Sequence, residues 1–200
     1  MLQRKQYDNV GCIILSGGYS QRMRSPKALL MFSEGANFLQ HISEVYHDAG
    51  INKIVAVINY EIELQDRGTF PAIDKIVKNY HPDKGRLYSL QLGLNELTNI
   101  EHCFVQNIDS PFVDKKIIES LIDQRNNADN ITPAYKGKGG HPILISSAVA
   151  NAIVAERNYE KNLKEFLSTY SRVKVEMEND KCLININTPE EYLNYFKNGY

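Results

Sequence analysis

Continuous apolar stretches alternate along the chain with stretches in which apolar residues recur every three or four positions. Runs rich in Val and Ile predict buried strands at residues 10–15, 53–58, 73–77, 103–108, 141–145, 172–177 and 183–186. Helical spacing predicts helices at residues 38–49, 87–97, 113–122, 147–156 and 160–170, and another from residue 188 onward. Strands separated by helices of this length are typical of parallel βαβ units. The pattern predicts an α/β fold with a single doubly wound, mostly parallel, Rossmann-like sheet, helices on both faces, and a ligand crevice at the carboxyl ends of the strands.

Length and composition favour one domain spanning residues 1–200. Two hundred residues suffice for one α/β domain with a sizeable core, and no linker rich in glycine, proline or serine divides them. The polar first nine residues, 1–9, carry Arg4, Lys5 and Asp8 and predict a flexible segment instead of a secretory signal. The sequence contains no run of about 18 apolar residues, which is the length that would predict a membrane span. We therefore expect a cytoplasmic protein without a membrane partner.

Charge and cysteine content exclude further classes. The 23 basic side chains nearly balance the 24 acidic ones, whereas a surface that coats nucleic acid needs a basic excess. Cys12, Cys103 and Cys182 are widely spaced and lie in or beside apolar runs, without a CxxC pair. They predict buried, inert thiols and neither a disulfide framework nor a zinc site.

The loop after the first predicted strand carries the strongest chemical signal. It contains the possible nucleotide-binding residues Leu15, Ser16, Gly17, Gly18 and Ser20, followed by Arg22 and Lys27. Paired glycines let backbone N–H groups approach a ligand, and the cations match the charge of a polyphosphate. The spacing fits neither the P-loop nor the dinucleotide fingerprint. An ordinary turn with solvated cations is the alternative interpretation.

Polar residues also follow other predicted strands at the same edge. Asn59 is placed to bind a base or ribose, Asp109 is placed to hold Mg²⁺ against phosphate oxygens, and Asn187 offers a second, neutral oxygen ligand. Each of the three is equally a common turn residue. Because one fold model brings them to one edge with the cationic loop, we expect them to form one site.

Two glycine-containing segments extend this expected site. Gly85 and Ser89 open a predicted helix whose free N–H groups suit an anion or a base. Lys138 and His141 belong to a glycine-rich loop before a strand, which either closes over an anionic acceptor or forms an exposed hairpin tip.

Together these residues resemble the nucleotidyltransferases that attach a nucleotide to the molybdenum cofactor, and the wider nucleoside-triphosphate transferase family. The shared pattern Leu-x-Gly-Gly-x-Ser-x-Arg-Met-Gly-x-x-Lys appears here from Leu15 to Lys27, with Arg24 in place of its third glycine. The resemblance continues in order at Gly85…Ser89-Leu90…Gly93-Leu94, Asp109-Ser110-Pro111, Gly140-His141-Pro142 and Asn187-Thr188-Pro189-Glu190-Glu191. It implies a fold of the nucleotide-diphospho-sugar transferase type.

The resemblance also implies a mechanism. Arg22 and Lys27 would neutralise the triphosphate, Asp109 would carry Mg²⁺, and the acceptor phosphate would attack the α-phosphorus in line and release pyrophosphate. Such chemistry depends on positioning and charge stabilisation. The implied partners are a nucleoside triphosphate, a molybdopterin-type acceptor bound near Lys138 and His141, and a molybdoenzyme or its chaperone.

The chain departs from the family pattern at two positions. Arg24 stands where the family has glycine, which implies either an altered backbone conformation of the loop or another cation that faces the phosphates. Asn187 stands where cytidylyl-transferring relatives often have aspartate, which predicts a weaker second metal ligand.

The identity of the transferred nucleotide stays open between two branches. Gly17-Gly18 and Asn187-Thr188-Pro189 resemble the guanylyltransferases, whereas Ser89, Gly140-His141-Pro142 and residues 162–167 resemble the cytidylyltransferases. We favour CMP transfer over GMP transfer because the second similarity extends through the C-terminal third. A sugar phosphate or isoprenoid phosphate as the acceptor, and a non-catalytic nucleotide-binding or cofactor-delivery protein, are the alternatives.

Overall fold

The computed structural model describes residues 6–64, 70–159 and 161–196. Within these ranges the chain forms the strands β1 Val10–Ser16, β2 Met31–Ser33, β3 Ala36–Asn37, β4 Lys53–Asn59, β5 Lys75–Asn79, β6 His102–Asn107, β7 Asn130–Tyr135, β8 Lys138–Gly139, β9 Ile143–Ser146 and β10 Arg172–Glu176. The described α-helices are α1 Phe38–Asp48, α2 Gly85–Leu94, α3 Lys115–Asp123, α4 Ser147–Ala155, α5 Leu163–Leu167 and α6 Pro189–Phe196. Short 3₁₀ helices lie at Lys27–Leu29, Pro82–Lys84 and Lys181–Leu183.

One large sheet organises the described chain. Its strands follow the order β10-β7-β9-β6-β1-β4-β5, and β8 pairs with the carboxyl end of β7. β1 is parallel to both β4 and β6, β5 is parallel to β4, and β10 is parallel to β7. β9 runs antiparallel between β6 and β7, and β8 is antiparallel to β7. The prediction of a mostly parallel sheet is confirmed.

Helices cover both faces of the sheet, as predicted. α1, α3 and α6 contribute to the core on one face, and α2, α4 and α5 contribute to the core on the other. Every residue of β1 is buried, because a parallel strand between two helical layers has no exposed face. Successive residues of β1 face opposite layers, so that Cys12 and Ile14 join one core and Ile13 and Leu15 join the other.

The three cysteines lie in the protein interior. Cys12, Cys103 and Cys182 are buried and free. Burial raises the pKa of each thiol, which disfavours the reactive thiolate. This agrees with the prediction of inert core thiols.

The predicted elements and the structure differ at several places. Residues 183–186 form no strand, because the segment makes only isolated contacts, such as the hydrogen bond from the amide of Ile186 to the carbonyl of Asp109. β7 was not predicted, since Asn, Thr and Pro interrupt its apolar pattern. It is an inner strand of the sheet, and its Pro133 is paired in register with Val175 of β10. The helix predicted at 87–97 begins at Gly85 and ends at Leu94.

The ends of two other predictions fall on residues outside the described ranges. Of the predicted flexible segment 1–9, residues 1–5 lie outside those ranges. Tyr7 and Asn9 are attached to the fold, the first through its amide to the carbonyl of Gly50 at 2.9 Å and the second through its side chain to Glu101. The first residue of the helix predicted at 160–170 is also outside them, and the described helix there is α5. No described helix has the length and apolar character needed to span a membrane.

Candidate active site

A cleft of about 400 Å³ opens at the carboxyl edge of the sheet, beside the ends of β1 and β6. Most of the site residues predicted from the sequence line it, namely Leu15, Ser16, Gly17, Gly18, Ser20, Arg22, Lys27, Gly85, Ser89, Asp109 and Asn187. Asn59, Lys138 and His141 are not among the lining residues. The topology therefore brings the cationic loop, the helix start at Gly85 and the Asp109 turn to one place.

The loop after β1 forms one wall of the cleft and is tightly packed at its first glycine. A Cβ atom on Gly17 would lie 2.9 Å from Oγ of Ser89, whereas one on Gly18 would meet nothing within 4 Å. Ser20 has a left-handed φ of 50°, and its carbonyl accepts a hydrogen bond from the amide of Met23 at 3.0 Å. The buried Met23 side chain anchors the loop to the core.

Arg24 adopts the conformation that glycine provides in the family pattern. Its φ is 58°, and its amide donates to the carbonyl of Ser20 at 3.1 Å. Left-handed backbone costs a non-glycine residue about 1 kcal/mol. The departure from glycine thus keeps the turn and adds local strain.

Lys27 is the buried cation of the cleft. It begins the 3₁₀ helix Lys27–Leu29 and is only 8% exposed. Its ammonium donates to Oδ1 of Asn187 at 2.8 Å and lies 3.5 Å from Oδ2 of Asp109. Burial lowers the pKa of Lys27, and the nearby Asp109 carboxylate opposes that shift. Arg22 is exposed and donates from Nη2 to the same Asn187 oxygen at 3.3 Å.

The end of β6 is joined to the segment before α6 by two hydrogen bonds. The carbonyl of Asp109 accepts from the amide of Ile186 at 2.7 Å. The hydroxyl of Ser110 donates to Oδ1 of Asn185 at 2.7 Å. These contacts hold the Asp109 turn beside residues 185–187 although some 75 residues separate the two segments in the chain.

A helix cap fixes Asn187. The amide of Glu191 donates to Oγ1 of Thr188 at 3.2 Å, and Glu191 Oε2 accepts from the amides of Thr188 and Asn187 at 3.1 and 2.6 Å. These contacts form a capping box at the start of α6, extended by one residue to Asn187. Because the Asn187 backbone is held on the cap, its side-chain oxygen stays at the mouth of the cleft.

The oxygen donors of the cleft fit a magnesium ion that is shared with phosphates. Asp109 provides a partly exposed carboxylate, and Asn187 provides an amide oxygen. The ammonium of Lys27 contacts both groups. Mg²⁺ commonly takes one or two protein carboxylates and completes its shell with phosphate and water. The described residues contain no cluster of three or more His, Cys, Asp or Glu side chains able to hold a metal by themselves. The donor set therefore suits a metal that binds together with its substrate.

Asn59 supports the loop instead of facing the cleft. Its Nδ2 donates to the carbonyl of Gly18 at 3.4 Å, and its Oδ1 accepts from the amide of Glu61 at 3.0 Å. Both ends of the side-chain amide are thus engaged by the protein, so direct contact with a base or ribose does not follow from this geometry.

His141 lies behind the cleft as a neutral side chain. Its Nε2 is 3.0 Å from Nδ2 of Asn107, and its buried Nδ1 has no partner among the described residues. Burial, with a further contribution from the positive charge of Arg86, lowers the pKa of His141 to about 4. An amide N–H donates, so Nε2 accepts and the proton of the imidazole resides on Nδ1.

Lys138 lies outside the cleft on the β7–β8 hairpin. β8 pairs with the carboxyl end of β7, so the hairpin extends from the same sheet edge that carries the cleft. Lys138 is exposed. The tip is tied to β10 by Lys174, whose ammonium donates to the carbonyl of Gly137 at 2.6 Å.

Six lining residues were not among the predicted site residues, namely Tyr19, Gln21, Pro82, Arg86, Asn107 and Ile108. Asn107 ends β6 and Arg86 stands in the first turn of α2. Arg86 directly follows Gly85, so the predicted helix start at Gly85 is the signal that could have found it. Asn107 gave no distinct signal, because a polar residue at the end of a strand is usually a turn residue.

Fold and cleft together define the class of this protein. A mostly parallel sheet between two helical layers, with a glycine-rich cationic loop at the carboxyl edge, is the architecture of an α/β nucleotide-binding transferase. The family model for the MobA-like NTP transferase domain matches residues 12–174. The chain belongs to this family and is a nucleotidyltransferase.

Individual relatives agree in length and fold. The molybdenum cofactor cytidylyltransferase of Escherichia coli (strain K12) is 27% identical over 185 residues, which cover 92% of this chain and 94% of that protein. The probable molybdenum cofactor guanylyltransferase of Bacillus mycoides (strain KBAB4) is 28% identical over 191 residues, covering 90% and 92%. The crystal structure of Rv0371c from Mycobacterium tuberculosis H37Rv superposes with a TM-score of 0.76 at 17% identity over 96% of this chain and 99% of that one. The same mycobacterial protein is also described in complex with manganese.

Proposed function

We propose that this enzyme is a Mg²⁺-dependent nucleotidyltransferase of molybdenum cofactor biosynthesis. It transfers a nucleoside monophosphate from a nucleoside triphosphate to the terminal phosphate of molybdopterin and releases pyrophosphate. The observation that carries the proposal is the contact of Lys27 with both Asp109 and Asn187, beside the Gly17–Gly18 loop. The named activities of the cytidylyl- and guanylyltransferase relatives support the choice of acceptor.

Each group at the site has a distinct task in this reaction. Arg22 and Lys27 hold the triphosphate and counter its charge, and the backbone of Gly17 and Gly18 allows close approach of the nucleotide. Asp109 and Asn187 would hold Mg²⁺, which would supply positive charge to neutralise the phosphates and the leaving pyrophosphate. An oxygen of the acceptor phosphate forms the new bond to the α-phosphorus while the bond to pyrophosphate breaks.

The acceptor is proposed to approach from the side of β7–β9. The β7–β8 hairpin with Lys138 stands at the edge that carries the cleft, and His141 reaches the cleft wall through Asn107. Lys138 supplies a positive charge for an anionic acceptor. The neutral imidazole of His141 supports the wall without adding charge to it.

CTP is the preferred donor and GTP is the second candidate. The cytidylyltransferase relative supports the first, and the guanylyltransferase relatives, at similar identity, support the second. Thermal unfolding with CTP, GTP, ATP or UTP, each with and without Mg²⁺, should separate them. A ligand at about 100 times its Kd adds about 2.7 kcal/mol to the free energy of unfolding. At roughly 2–4 °C per kcal/mol for a chain of this size, the expected Tm shift is clear.

Turnover tests the remaining steps. The enzyme is incubated with molybdopterin and the nucleotide that gives the Tm shift. Release of pyrophosphate from that nucleotide should require Mg²⁺ and should be lost in the Asp109→Ala variant. Turnover with a sugar phosphate or isoprenoid phosphate, but not with molybdopterin, would replace the acceptor. A nucleotide-dependent Tm shift without turnover on any acceptor would instead support a non-catalytic nucleotide-binding or cofactor-delivery protein.

A further inference from the structure

Two asparagines occupy equivalent positions at the ends of neighbouring strands. Asn59 ends β4 and Asn79 ends β5, and the two residues are paired in the parallel register. Each accepts a hydrogen bond on Oδ1 from the backbone amide two residues further on, Glu61 at 3.0 Å and His81 at 2.8 Å. A backbone amide can only donate, so these bonds fix the side-chain oxygen and leave each Nδ2 group to donate elsewhere.

The two Nδ2 groups donate to different walls of the cleft. Asn59 donates to the carbonyl of Gly18 in the loop after β1. Asn79 donates to Oγ of Ser89 in α2 at 3.0 Å. Ser89 in turn donates to the carbonyl of Gly85 at 3.2 Å. The chain Asn79–Ser89–Gly85 therefore ties the end of β5 to the first turn of α2.

Asn79 also packs against the loop after β1. Its side chain is fully buried, with 0% exposure. A Cβ on Gly17 would lie 3.2 Å from Nδ2 of Asn79 and 2.9 Å from Oγ of Ser89. The Gly17 backbone thus rests on this amide–hydroxyl pair, and movement of either side chain would change the width of the cleft between the loop and α2.

We infer that Asn79 is a positioning residue for the nucleotide, acting through Ser89 and the Gly17 backbone. The inference rests on the proposed function, because it assigns a further residue to the same nucleotide cleft. Asn79 touches neither Lys27 nor Asp109 in its described contacts. Its loss should therefore weaken nucleotide binding more than it slows the chemical step.

Nucleotide affinity in a double-mutant cycle tests this role. The Kd values of CTP and GTP in Mg²⁺ are measured by titration calorimetry, without acceptor, for wild type, Asn79→Ala, Ser89→Ala and the double variant. Asn79→Ala should raise the Kd of the bound nucleotide roughly tenfold, the equivalent of about 1.4 kcal/mol. In the Ser89→Ala background the same change should have little further effect, since coupled residues are not additive. In turnover, KM for the nucleotide should rise more than kcat falls.

Two further variants separate positioning from fold stability. Asn79→Asp keeps a side-chain oxygen that accepts from the amide of His81 but has no N–H to donate to Ser89. It should therefore still bind the nucleotide weakly. Asn130→Ala is the matched control, because Asn130 is equally buried but begins β7 at the opposite edge of the sheet. It should lower Tm and leave the Kd unchanged.

The outcomes distinguish the inference from the function on which it rests. If wild type binds no nucleoside triphosphate, the proposed function fails and the role of Asn79 fails with it. If wild type binds and Asn79→Ala or Asn79→Asp binds equally well, only the positioning role is overturned. Fully additive effects of Asn79→Ala and Ser89→Ala would also overturn it.

Discussion

Lys27 donates a hydrogen bond to Oδ1 of Asn187 at 2.8 Å, across 160 positions of sequence. The contact joins the loop after β1 to the cap of α6. The same Asn187 oxygen accepts a hydrogen bond from Nη2 of Arg22 at 3.3 Å, and the Lys27 ammonium lies 3.5 Å from Oδ2 of Asp109. A neutral amide thus stands where Arg22, Lys27 and the Asp109 carboxylate meet.

Replacing this amide by a carboxylate should strengthen metal binding. Asn187→Asp adds a charged ligand beside Asp109, and a charge pair at 4 Å contributes about 1 kcal/mol even in a water-like dielectric. The Mg²⁺ concentration for half-maximal activity should therefore fall roughly fivefold. Titration of activity with Mg²⁺ measures this effect. Asn187→Ala is the control and should need more Mg²⁺ than wild type, whereas an unchanged requirement in both variants would remove Asn187 from the metal site.

Arg24→Gly should stabilise the fold. Glycine adopts the φ of 58° found at Arg24 without steric cost. The expected gain of about 1 kcal/mol corresponds to a Tm rise of roughly 2–4 °C. Asn99→Gly is the matched control, because Asn99 has a similar φ of 52° but asparagine tolerates this region better, so its gain should be smaller. A lower Tm for Arg24→Gly would mean that the arginine side chain contributes more than its backbone strain costs.

The buried imidazole of His141 should make stability fall at acidic pH. Burial, with the charge of Arg86, lowers its pKa from 6.5 to about 4. Between these values the unfolded chain binds a proton that the folded chain does not, so stability is lost as pH falls from 6.5 to 4. The loss from this residue is about 3 kcal/mol. His141→Gln should therefore show a shallower fall in the free energy of unfolding, measured by urea denaturation from pH 7 to pH 4.

Two other histidines define what should remain in that experiment. Burial lowers the pKa of His41 to about 4 and also lowers the pKa of His102, and both residues are present in both proteins. Some acid sensitivity should therefore persist in His141→Gln. Identical slopes in the variant and in wild type would show that His141 is protonated in the folded protein at these pH values.

Local sequence patterns predicted the elements whose environment is uniform. β1, β4 and β6 are buried along almost their whole length, and such strands appear as continuous apolar runs. β7 escaped prediction because its polar residues find partners inside the sheet, as when Thr132 donates to Asn130. The segment 183–186 looks like a strand in composition, but its neighbours leave it only isolated hydrogen bonds.

The candidate site was predictable where its chemistry is local. Glycines, arginine and lysine close together in one loop favour a phosphate site, with an ordinary turn and solvated cations as the alternative. The contacts of Asn187 with Arg22 and Lys27 depend on how α6 returns to the sheet edge, which no local pattern encodes. Asn59 and Asn79 are alike in sequence terms, and only the structure shows that their side chains hold the walls of the cleft.

The two neighbouring glycines of the loop should respond differently to the same substitution. Gly17→Ala places a Cβ 2.9 Å from Oγ of Ser89, whereas Gly18→Ala meets nothing within 4 Å. Overpacking of this kind costs about 1–3 kcal/mol, while a change in open space stays within about 0.5 kcal/mol. Urea denaturation should therefore rank Gly17→Ala well below Gly18→Ala in stability. Because Ser89→Ala removes the contacting oxygen, Gly17→Ala should cost less in that background than in wild type. An equal cost in both backgrounds would mean that the loop moves away from α2 to accept the methyl group.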